Sequence, residues 1–413
     1  MRAIRFDISV AGFLAARTLG RVSDSAVFGR LSNLGMEQVP DPEPPGTEWL
    51  RLRVLLAGIC GSDLGYLTYS SSPAMEPFGS FPAVLGHEVL AEVEAAGSDV
   101  VGLRPGQRVV VDPLISCEVR GYSNRCPSCG AGLPGTCERA GEEAPLEVEG
   151  HSLAPGLMMG YHRDLPGGWG ERLIAHRSQV FPVPDELDDR AAVLTEPLST
   201  GMHAALECRP LGDGPILVIG SGPIALGTIW ALRSVGFAGE IVGQTKRSHE
   251  AHLARLVGAS RVVSPGDEAR QALIDTGASA YQPLVGPEVY SGGGFPLVFD
   301  CVGSRSSLDQ SLRHAAPRGR LVLLGCAGEM KKLDLTFLWA RELEVKGFVG
   351  YGRERWEGEE AHTFEVTLGA LRRTGTRVQE MVTHVFPVDQ YRDALSAAAD
   401  HRKSGAVKVL LEP

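Results

Sequence analysis

Cysteine is scarce in this chain, with 8 in 413 residues. So small a share argues against a fold held together by disulfide bonds. Basic charge is also in deficit, because 40 lysines and arginines face 50 acidic residues and give a formal charge of −10. Nucleic acid and anionic lipid repel an acidic chain, so we expect neither as a partner.

The sequence also lacks internal repeats, low-complexity tracts and an uninterrupted apolar run of membrane length. Residues 214–232 carry no charge, but the small and rigid residues 220–223 interrupt them, as in a buried strand that turns into a helix. The apolar stretch 8–16 is bounded by Asp7 and Arg17, which favours an N-terminal strand and turn over an export signal. We therefore expect a cytoplasmic protein with no membrane partner.

The composition is that of a globular protein, since 43% hydrophobic and 22% charged residues exclude wholesale disorder. Residues 1–190 consist mostly of short alternating or β-branched runs, which predict a β-rich, barrel-like domain. From 191 to 345 apolar strand-like runs alternate with helical stretches, which predicts a doubly wound parallel sheet and an α/β fold. Residues 346–413 return to mixed character and end in a strand.

A glycine pattern, G-x-G-x-x-A, follows an apolar strand directly and opens a helix. Gly220 permits a sharp turn, Gly222 lets the backbone approach a pyrophosphate, and Ala225 lets the helix close onto the strand. The helix N-terminus supplies free N–H groups and positive potential to the phosphates. The motif predicts a dinucleotide site formed by Gly220, Ser221, Gly222, Pro223, Ile224 and Ala225.

The segment that would meet the adenosine ribose contains Thr245, Lys246 and Arg247, with no acidic residue before Glu250. An NAD enzyme needs a carboxylate here for the ribose 2′-hydroxyl, whereas cations suit a 2′-phosphate. The sequence therefore favours NADP, and NAD stays open because both cations could be solvated loop charges.

Three separated motifs offer a thiolate, an imidazole and a carboxylate. Cys60 lies in GICGSD, His87 in LGHE and Glu196 in TEPLST. Zinc accepts all three ligand types, and a site built from three protein ligands keeps a coordination position open for chemistry. Taken singly, the cysteine and the histidine are better interpreted as core residues, and only the three motifs together favour a metal site.

A second group is the cluster C-x8-C-x2-C-x7-C, formed by Cys117, Cys126, Cys129 and Cys137. Four thiolates can close a tetrahedral structural zinc site, here in a lobe at 114–140. The long gap after Cys117 leaves its place as fourth ligand open, and free thiols or a disulfide are the alternative.

Together these motifs resemble the zinc-dependent medium-chain alcohol dehydrogenase family, and most closely its polyol, sorbitol, sugar and threonine dehydrogenase branch. GICGSD, GHE, PGQRVVV, the cysteine lobe, GGWGERL, EPL and the glycine pattern occur in the family's order over nearly the whole chain. The resemblance implies a GroES-like catalytic domain at 1–190, a Rossmann domain at 191–345, and a return to the catalytic domain at 346–413. It also implies a homodimer or homotetramer.

The resemblance further implies roles for individual side chains. The catalytic zinc would be held by Cys60, His87 and Glu196. Ser62 would take the substrate proton, Asp63 would orient His87, and Glu88 would approach the zinc or exchange with a bound ligand. Many relatives carry a relay histidine two positions after the aspartate, whereas this chain has Gly65 there, so the outer relay group is unassigned.

The implied reaction is hydride transfer between NADP or NAD and a small-molecule substrate, which interconverts a secondary alcohol and its ketone. A polyol, a sugar, a cyclitol and an amino-alcohol all suit the site. Two other functions stay open at this point: a non-catalytic sensor that binds zinc and a dinucleotide, and a quinone or enoyl reductase of the zinc-free type.

Overall fold

The structure is a computed structural model that describes residues 1–19, 27–28, 32–143, 147–148, 151–210, 212–325 and 328–413. The strands are β1 (Arg2–Phe6), β2 (Leu34–Gln38), β3 (Trp49–Ile59), β4 (Ala83–Val84), β5 (Val89–Ala96), β6 (Arg108–Val111), β7 (Glu147–Val148), β8 (His151–Ser152), β9 (Arg172–His176), β10 (Val180–Pro182), β11 (Ile216–Ile219), β12 (Ile241–Gln244), β13 (Arg261–Val263), β14 (Ser279–Tyr281), β15 (Val289–Ser291), β16 (Phe295–Asp300), β17 (Ala315–Leu323), β18 (Glu344–Gly347), β19 (Arg353–Trp356), β20 (Glu359–His362), β21 (Val382–Pro387) and β22 (Lys408–Glu412).

The α-helices are α1 (Val10–Leu19), α2 (Gly61–Leu67), α3 (Pro127–Gly130), α4 (Asp189–Ala192), α5 (Thr195–Glu207), α6 (Pro223–Ser234), α7 (Ser248–Leu256), α8 (Asp267–Asp275), α9 (Arg305–His314), α10 (Thr336–Ala340), α11 (Thr363–Thr374), α12 (Tyr391–Ala399) and α13 (His401–Ser404). Within the described ranges, no helix has both the length and the apolar character needed to cross a membrane.

The N-terminal segment departs from the sequence expectation. The strand β1 ends at Phe6, and residues 10–19 form the helix α1 where a strand and turn were expected. The stretch is rich in alanine and leucine and contains no proline, so its residues favour a helix.

The first of two compact units, unit 1, comprises residues 1–196, 351–373 and 382–413. Its main sheet has the strand order β10-β6-β5-β3-β22-β21, and β9 also pairs with β3. The central strand β3 pairs antiparallel with β5, β9 and β22, and its last three residues are all buried. The candidate site follows directly from the carboxyl end of this strand.

The second unit, unit 2, comprises residues 197–350 and 374–381. Its six-stranded sheet has the order β13-β12-β11-β16-β17-β18, and every neighbouring pair is parallel. All residues of β11 and β12 are buried, as expected of parallel strands covered on both faces. This sheet confirms the predicted α/β fold class.

Candidate active site and metal centres

Cys60 lies at the junction between β3 and α2. Its backbone N–H donates a 2.8 Å hydrogen bond to Asp63 Oδ2 in the first turn of the helix. Asp63 is fully buried. The strand end and the helix start therefore fix the cysteine and the aspartate relative to each other.

His87 and Glu88 follow β4 and precede β5. Gly86 has a φ of +92°, and a Cβ there would overlap the indole of Trp169, so this position requires glycine. His87 Nδ1 lies 3.4 Å from Asp63 Oδ1, which leaves Nε2 as the nitrogen available to a cation. Burial alone would lower the pKa of His87, but the Asp63 carboxylate and Cys60 outweigh it and raise the pKa.

Cys60, His87 and Glu88 each bring one potential ligand atom within 4.8 Å of the other two. The Glu88 carboxylate is already compensated, because Lys408 Nζ donates to its two oxygens at 2.6 and 2.5 Å. Gly58 makes room for this carboxylate, since a Cβ at that position would overlap Glu88. A cation at Cys60 and His87 would therefore have to compete with Lys408 for Glu88.

Glu196 lies in the first turn of α5 and is buried. Its ligand atoms are not in the group formed by Cys60, His87 and Glu88, although the charges of His87 and Glu88 act on its pKa. Tyr351 donates a 3.1 Å hydrogen bond to Glu196 Oε1, and within the described part of the chain no lysine or arginine pairs with this carboxylate. Burial raises the pKa of Glu196 to about 7, so the carboxylate fits a bound cation well.

Ser62 and Asp63 share one further neighbour, Tyr161. Tyr161 Oη lies 2.9 Å from Ser62 Oγ and 2.7 Å from Asp63 Oδ1. The Tyr161 ring also packs against His87, with ring centroids 5.3 Å apart. The proposed proton acceptor, the aspartate and the histidine are thus joined by a side chain that the sequence motifs did not include.

The four cysteines of the lobe come together and are all buried, with their Sγ atoms within 4.8 Å of one another. Cys117 Sγ and Cys137 Sγ are 3.8 Å apart, which is too far for a disulfide. A tetrahedral zinc with Zn–S bonds of about 2.3 Å places its sulfurs about 3.8 Å apart, so the observed spacing fits that ion. The backbone N–H groups of Cys126 and Cys129 donate to cysteine sulfurs at 3.4 Å, which favours thiolates.

Arg120 supplies a buried positive charge to this lobe. Its side chain is fully buried, it makes no ion pair with a carboxylate among the described residues, and its Nη1 has no hydrogen-bond partner there. Burial lowers the pKa of the guanidinium, while the charges of Cys137 and Cys117 raise it. A buried cation without a carboxylate is stable only beside other anions, so Arg120 also indicates ionised cysteines.

The glycine turn of unit 2 has the geometry that the dinucleotide motif requires. Gly220 has a φ of +133°, and a Cβ there would lie 3.2 Å from that of Ala225, so helix and strand are closely packed. Gly222 is the N-cap of α6, and a Cβ on it would meet no atom within 4 Å. The open space at Gly222 allows a phosphate group to approach the helix N-terminus.

The segment after β12 contains a feature that the sequence reasoning did not anticipate. Glu250 Oε2 accepts hydrogen bonds from the backbone N–H groups of Lys246 and Arg247, both at 3.1 Å, and its Oε1 pairs with the Arg247 guanidinium. Burial would raise the pKa of Glu250, but these donors and Ser221 outweigh it and lower the pKa. Arg247 is therefore neutralised by a carboxylate, whereas Lys246 is exposed and Thr245 is buried.

Sequence reasoning missed Tyr161, Lys408, Tyr351, Arg120 and the placement of Glu250. One signal was present for Lys408, since a single lysine inside the apolar run AVKVLL predicts a buried partner. Nothing in the local sequence of Tyr161 or Tyr351 marks either residue as part of the site.

Comparison with known proteins gives two family matches. The alcohol dehydrogenase GroES-like domain matches residues 46–185, and the zinc-binding dehydrogenase family matches residues 223–366. Sorbitol dehydrogenase of Homo sapiens is 29% identical over 92% of this chain and 93% of its own length. L-Threonine 3-dehydrogenase of Chromobacterium violaceum is 27% identical over 88% of this chain and 92% of its own.

A solved structure extends the similarity to three dimensions. The zinc-binding dehydrogenase of Sinorhizobium meliloti 1021, which was crystallised with NADP, superposes with a TM-score of 0.70 and 27% identity over 100% of this chain and 99% of its own. The fold, the two family matches and these relatives define a zinc-binding dehydrogenase. The chain belongs to the zinc-dependent medium-chain alcohol dehydrogenase family, which confirms the predicted family and enzyme class.

Proposed function

We propose that this chain interconverts a secondary alcohol and its ketone, with zinc held by Cys60, His87 and Glu196 and with NADP as the preferred hydride acceptor. The observation that carries the proposal is the grouping in unit 1 of the half-buried Cys60 thiol with the buried His87, together with a buried Glu196 carboxylate that no lysine or arginine pairs with among the described residues. The named substrates of the relatives, sorbitol and threonine, both carry a secondary hydroxyl beside a second polar group. The substrate proposed here is therefore a polyol, a sugar, a cyclitol or an amino-alcohol.

When bound, zinc acidifies a substrate hydroxyl and the nicotinamide accepts a hydride from carbon. The chain's own residues handle the proton and hold the ligands. Ser62 Oγ accepts the hydroxyl proton, and Tyr161 Oη donates to Ser62 Oγ and to Asp63 Oδ1. Asp63 holds the Nδ1 side of His87, and Lys408 keeps Glu88 from competing as a ligand.

The experiment is a screen of vicinal diols, sugars and amino-alcohols with NADP and NAD, which follows the absorbance of the reduced nicotinamide. Cys60→Ala and His87→Ala should lose turnover and one of two zinc ions per chain, with cofactor binding retained. Cys208→Ala is the control, because Cys208 is a free thiol like Cys60 but lies in unit 2. Wild-type rates in metal-free Cys60→Ala would reject the zinc chemistry.

Cofactor choice is tested separately. Lys246→Ala combined with Arg247→Ala should weaken NADP much more than NAD, because two cations suit the 2′-phosphate and the plain ribose needs neither. Arg255→Ala, in the last turn of α7, serves as a control cation on the helix that follows these two residues. Equal losses for both cofactors would reject the 2′-phosphate assignment.

We also propose a homodimer or homotetramer in the cytoplasm. The sheet edge β18 is exposed along its whole length, and Trp339 in α10 is 82% exposed, which is unusual for a residue of its size. The seven described cysteines are all free, as in a reducing compartment. Trp339→Glu should shift the molecular mass measured by light scattering towards the monomer, and an unchanged mass would reject this face.

A further inference from the structure

The hydroxyl of Ser62 has a single hydrogen-bond partner within the described residues, and that partner is Tyr161. Tyr161 belongs to the loop between β8 and β9 and is 99 positions away from Ser62. Gly65, where many relatives carry a relay histidine, offers no side chain, and a Cβ there would come within 2.8 Å of Ser71 Oγ. Tyr161 therefore provides the contact to Ser62 that the local sequence does not.

The Tyr161 hydroxyl is the donor in two contacts. Its oxygen lies 2.9 Å from Ser62 Oγ and 2.7 Å from Asp63 Oδ1, and its single hydrogen is shared between these two acceptors. A serine oxygen can accept two hydrogen bonds. Ser62 Oγ therefore keeps a second lone pair with which it can accept from a substrate hydroxyl.

The tyrosine is held firmly enough to fix the position of Ser62 Oγ. Tyr161 is 5% exposed, and its ring packs against His87 at 5.3 Å and against Tyr66 at 4.5 Å between centroids. Asp63, which receives its hydrogen, is fixed in turn by the Cys60 N–H. Tyr161 contacts Ser62 Oγ and Asp63 Oδ1 in one side-chain conformation.

We propose that Tyr161 is a positioning residue that holds Ser62 Oγ by donating a hydrogen bond to it and so keeps the second lone pair of Ser62 Oγ available to the substrate hydroxyl. The inference rests on the proposed function, in which Ser62 accepts the substrate's hydroxyl proton. Without the tyrosine hydroxyl, Ser62 Oγ would lose its donor and could rotate away from the position in which it accepts. The turnover step would suffer, whereas substrate binding would change little.

The first test is a double-mutant cycle in the zinc-loaded full chain. Tyr161→Phe keeps the ring and should lower kcat about tenfold with KM within about twofold. Since Tyr161 acts through Ser62, the double variant Tyr161→Phe with Ser62→Ala should be no slower than Ser62→Ala alone. Multiplicative losses in the double variant, or wild-type kcat in Tyr161→Phe, would overturn the proposal.

Two further variants separate orientation from packing. Tyr391→Phe is the matched control, because Tyr391 is a buried tyrosine of unit 1 whose hydroxyl has no partner among the described residues; it should keep wild-type kcat. Tyr161→His retains a donor and an acceptor and should have a kcat between those of Tyr161→Phe and wild type. If Tyr161→Phe fails to fold, a Tyr161→His variant that folds but has no more activity than Ser62→Ala overturns the proposal.

A second readout does not depend on turnover. Ser62→Ala should shift the tyrosine band of the ultraviolet difference spectrum in the wild-type background but not in the Tyr161→Phe background. Absence of that shift would disprove the hydrogen bond whether or not the protein is an active dehydrogenase. Wild-type protein that shows the shift but no dehydrogenase activity would instead count against the proposed function.

Discussion

Lys408 Nζ donates hydrogen bonds to both carboxylate oxygens of Glu88, although 320 positions separate the two residues. Each is 2% exposed, so the pair lies in the interior of unit 1 beside Cys60 and His87. The antiparallel pairing of β22 with β3 brings them together, since Val409 and Leu410 lie opposite Ile59 and Gly58. The last strand of the chain thus neutralises a carboxylate next to the metal ligands.

Lys408→Met should destabilise unit 1 by about 3–5 kcal/mol, because it leaves a buried carboxylate without its cation. Urea denaturation followed by tryptophan fluorescence measures the change. Lys403→Met is the control, since Lys403 is an exposed lysine paired with Asp400, and its loss should cost about 0–1 kcal/mol. Adding Glu88→Gln to Lys408→Met should recover part of the stability, and equal effects of the two lysine variants would contradict the prediction.

Arg120→Met should weaken zinc retention by the four-cysteine lobe. Four thiolates around a divalent cation leave a net negative charge, and Arg120 is the buried cation next to them. The rate at which a chelator removes zinc from the Cys60→Ala background reports on this lobe alone. Arg125→Met, an exposed arginine of the same lobe paired with Glu118, should release zinc at the unchanged rate. Identical rates in the two arginine variants would remove Arg120 from this role.

Glu250→Gln should increase the preference for NADP over NAD by about 5–10-fold in kcat/KM, as a charge change next to a bound phosphate is worth roughly 1 kcal/mol. The substitution frees the Arg247 guanidinium and removes a negative charge from the pair of backbone N–H groups. Glu268→Gln, an exposed glutamate at the start of α8, is the control. A preference that moves towards NAD would show that Glu250 supports the 2′-phosphate site by orienting Arg247.

His314 should make unit 2 less stable in mild acid. Burial, with the charges of Arg341 and Arg313, lowers its pKa from 6.5 to about 4. Below pH 6.5 the unfolded chain therefore binds a proton at this histidine that the folded chain does not bind. The free energy of unfolding has its full value above pH 6.5 and falls as the pH drops towards 4. The loss between pH 7 and pH 5 should be about 2 kcal/mol.

His314→Phe should remove this pH-dependent loss while keeping the edge-to-face contact with Tyr290. Urea denaturation at pH 7 and at pH 5 provides the comparison. His252→Phe is the control in the same unit, because His252 is 68% exposed and should leave the loss intact. A His314→Phe protein that still loses the same stability in acid would refute the assignment.

The parts of the site that are predictable from the sequence are those that local geometry sets. Gly220, Gly222 and Ala225 have a fixed spacing because the turn requires it, and the four cysteines lie close in sequence because they would bind one ion. Family, fold class and zinc-dependent alcohol oxidoreductase activity follow from such local patterns and are confirmed. The catalytic ligands and the domain boundaries proposed from the sequence stay predictions.

Other features depended on contacts between distant segments. The inclusion of residues 374–381 in unit 2 has no distinctive local signature. Tyr351 lies 155 positions from Glu196, whose carboxylate it holds. A pairwise contact of this kind depends on how strands and loops pack. The local sequence around a tyrosine does not show which distant residue it contacts.

The sequence by itself determined the chemistry available to this protein: which residues can bind a metal, which turn can receive a dinucleotide, and which family they form. Those choices are local, because ligand type and turn geometry restrict the residues at each position. The tertiary structure alone decided which charges and hydroxyl groups surround that chemistry. Lys408 reaches Glu88, and Tyr161 reaches Ser62, only because the folded sheet and loops bring them together.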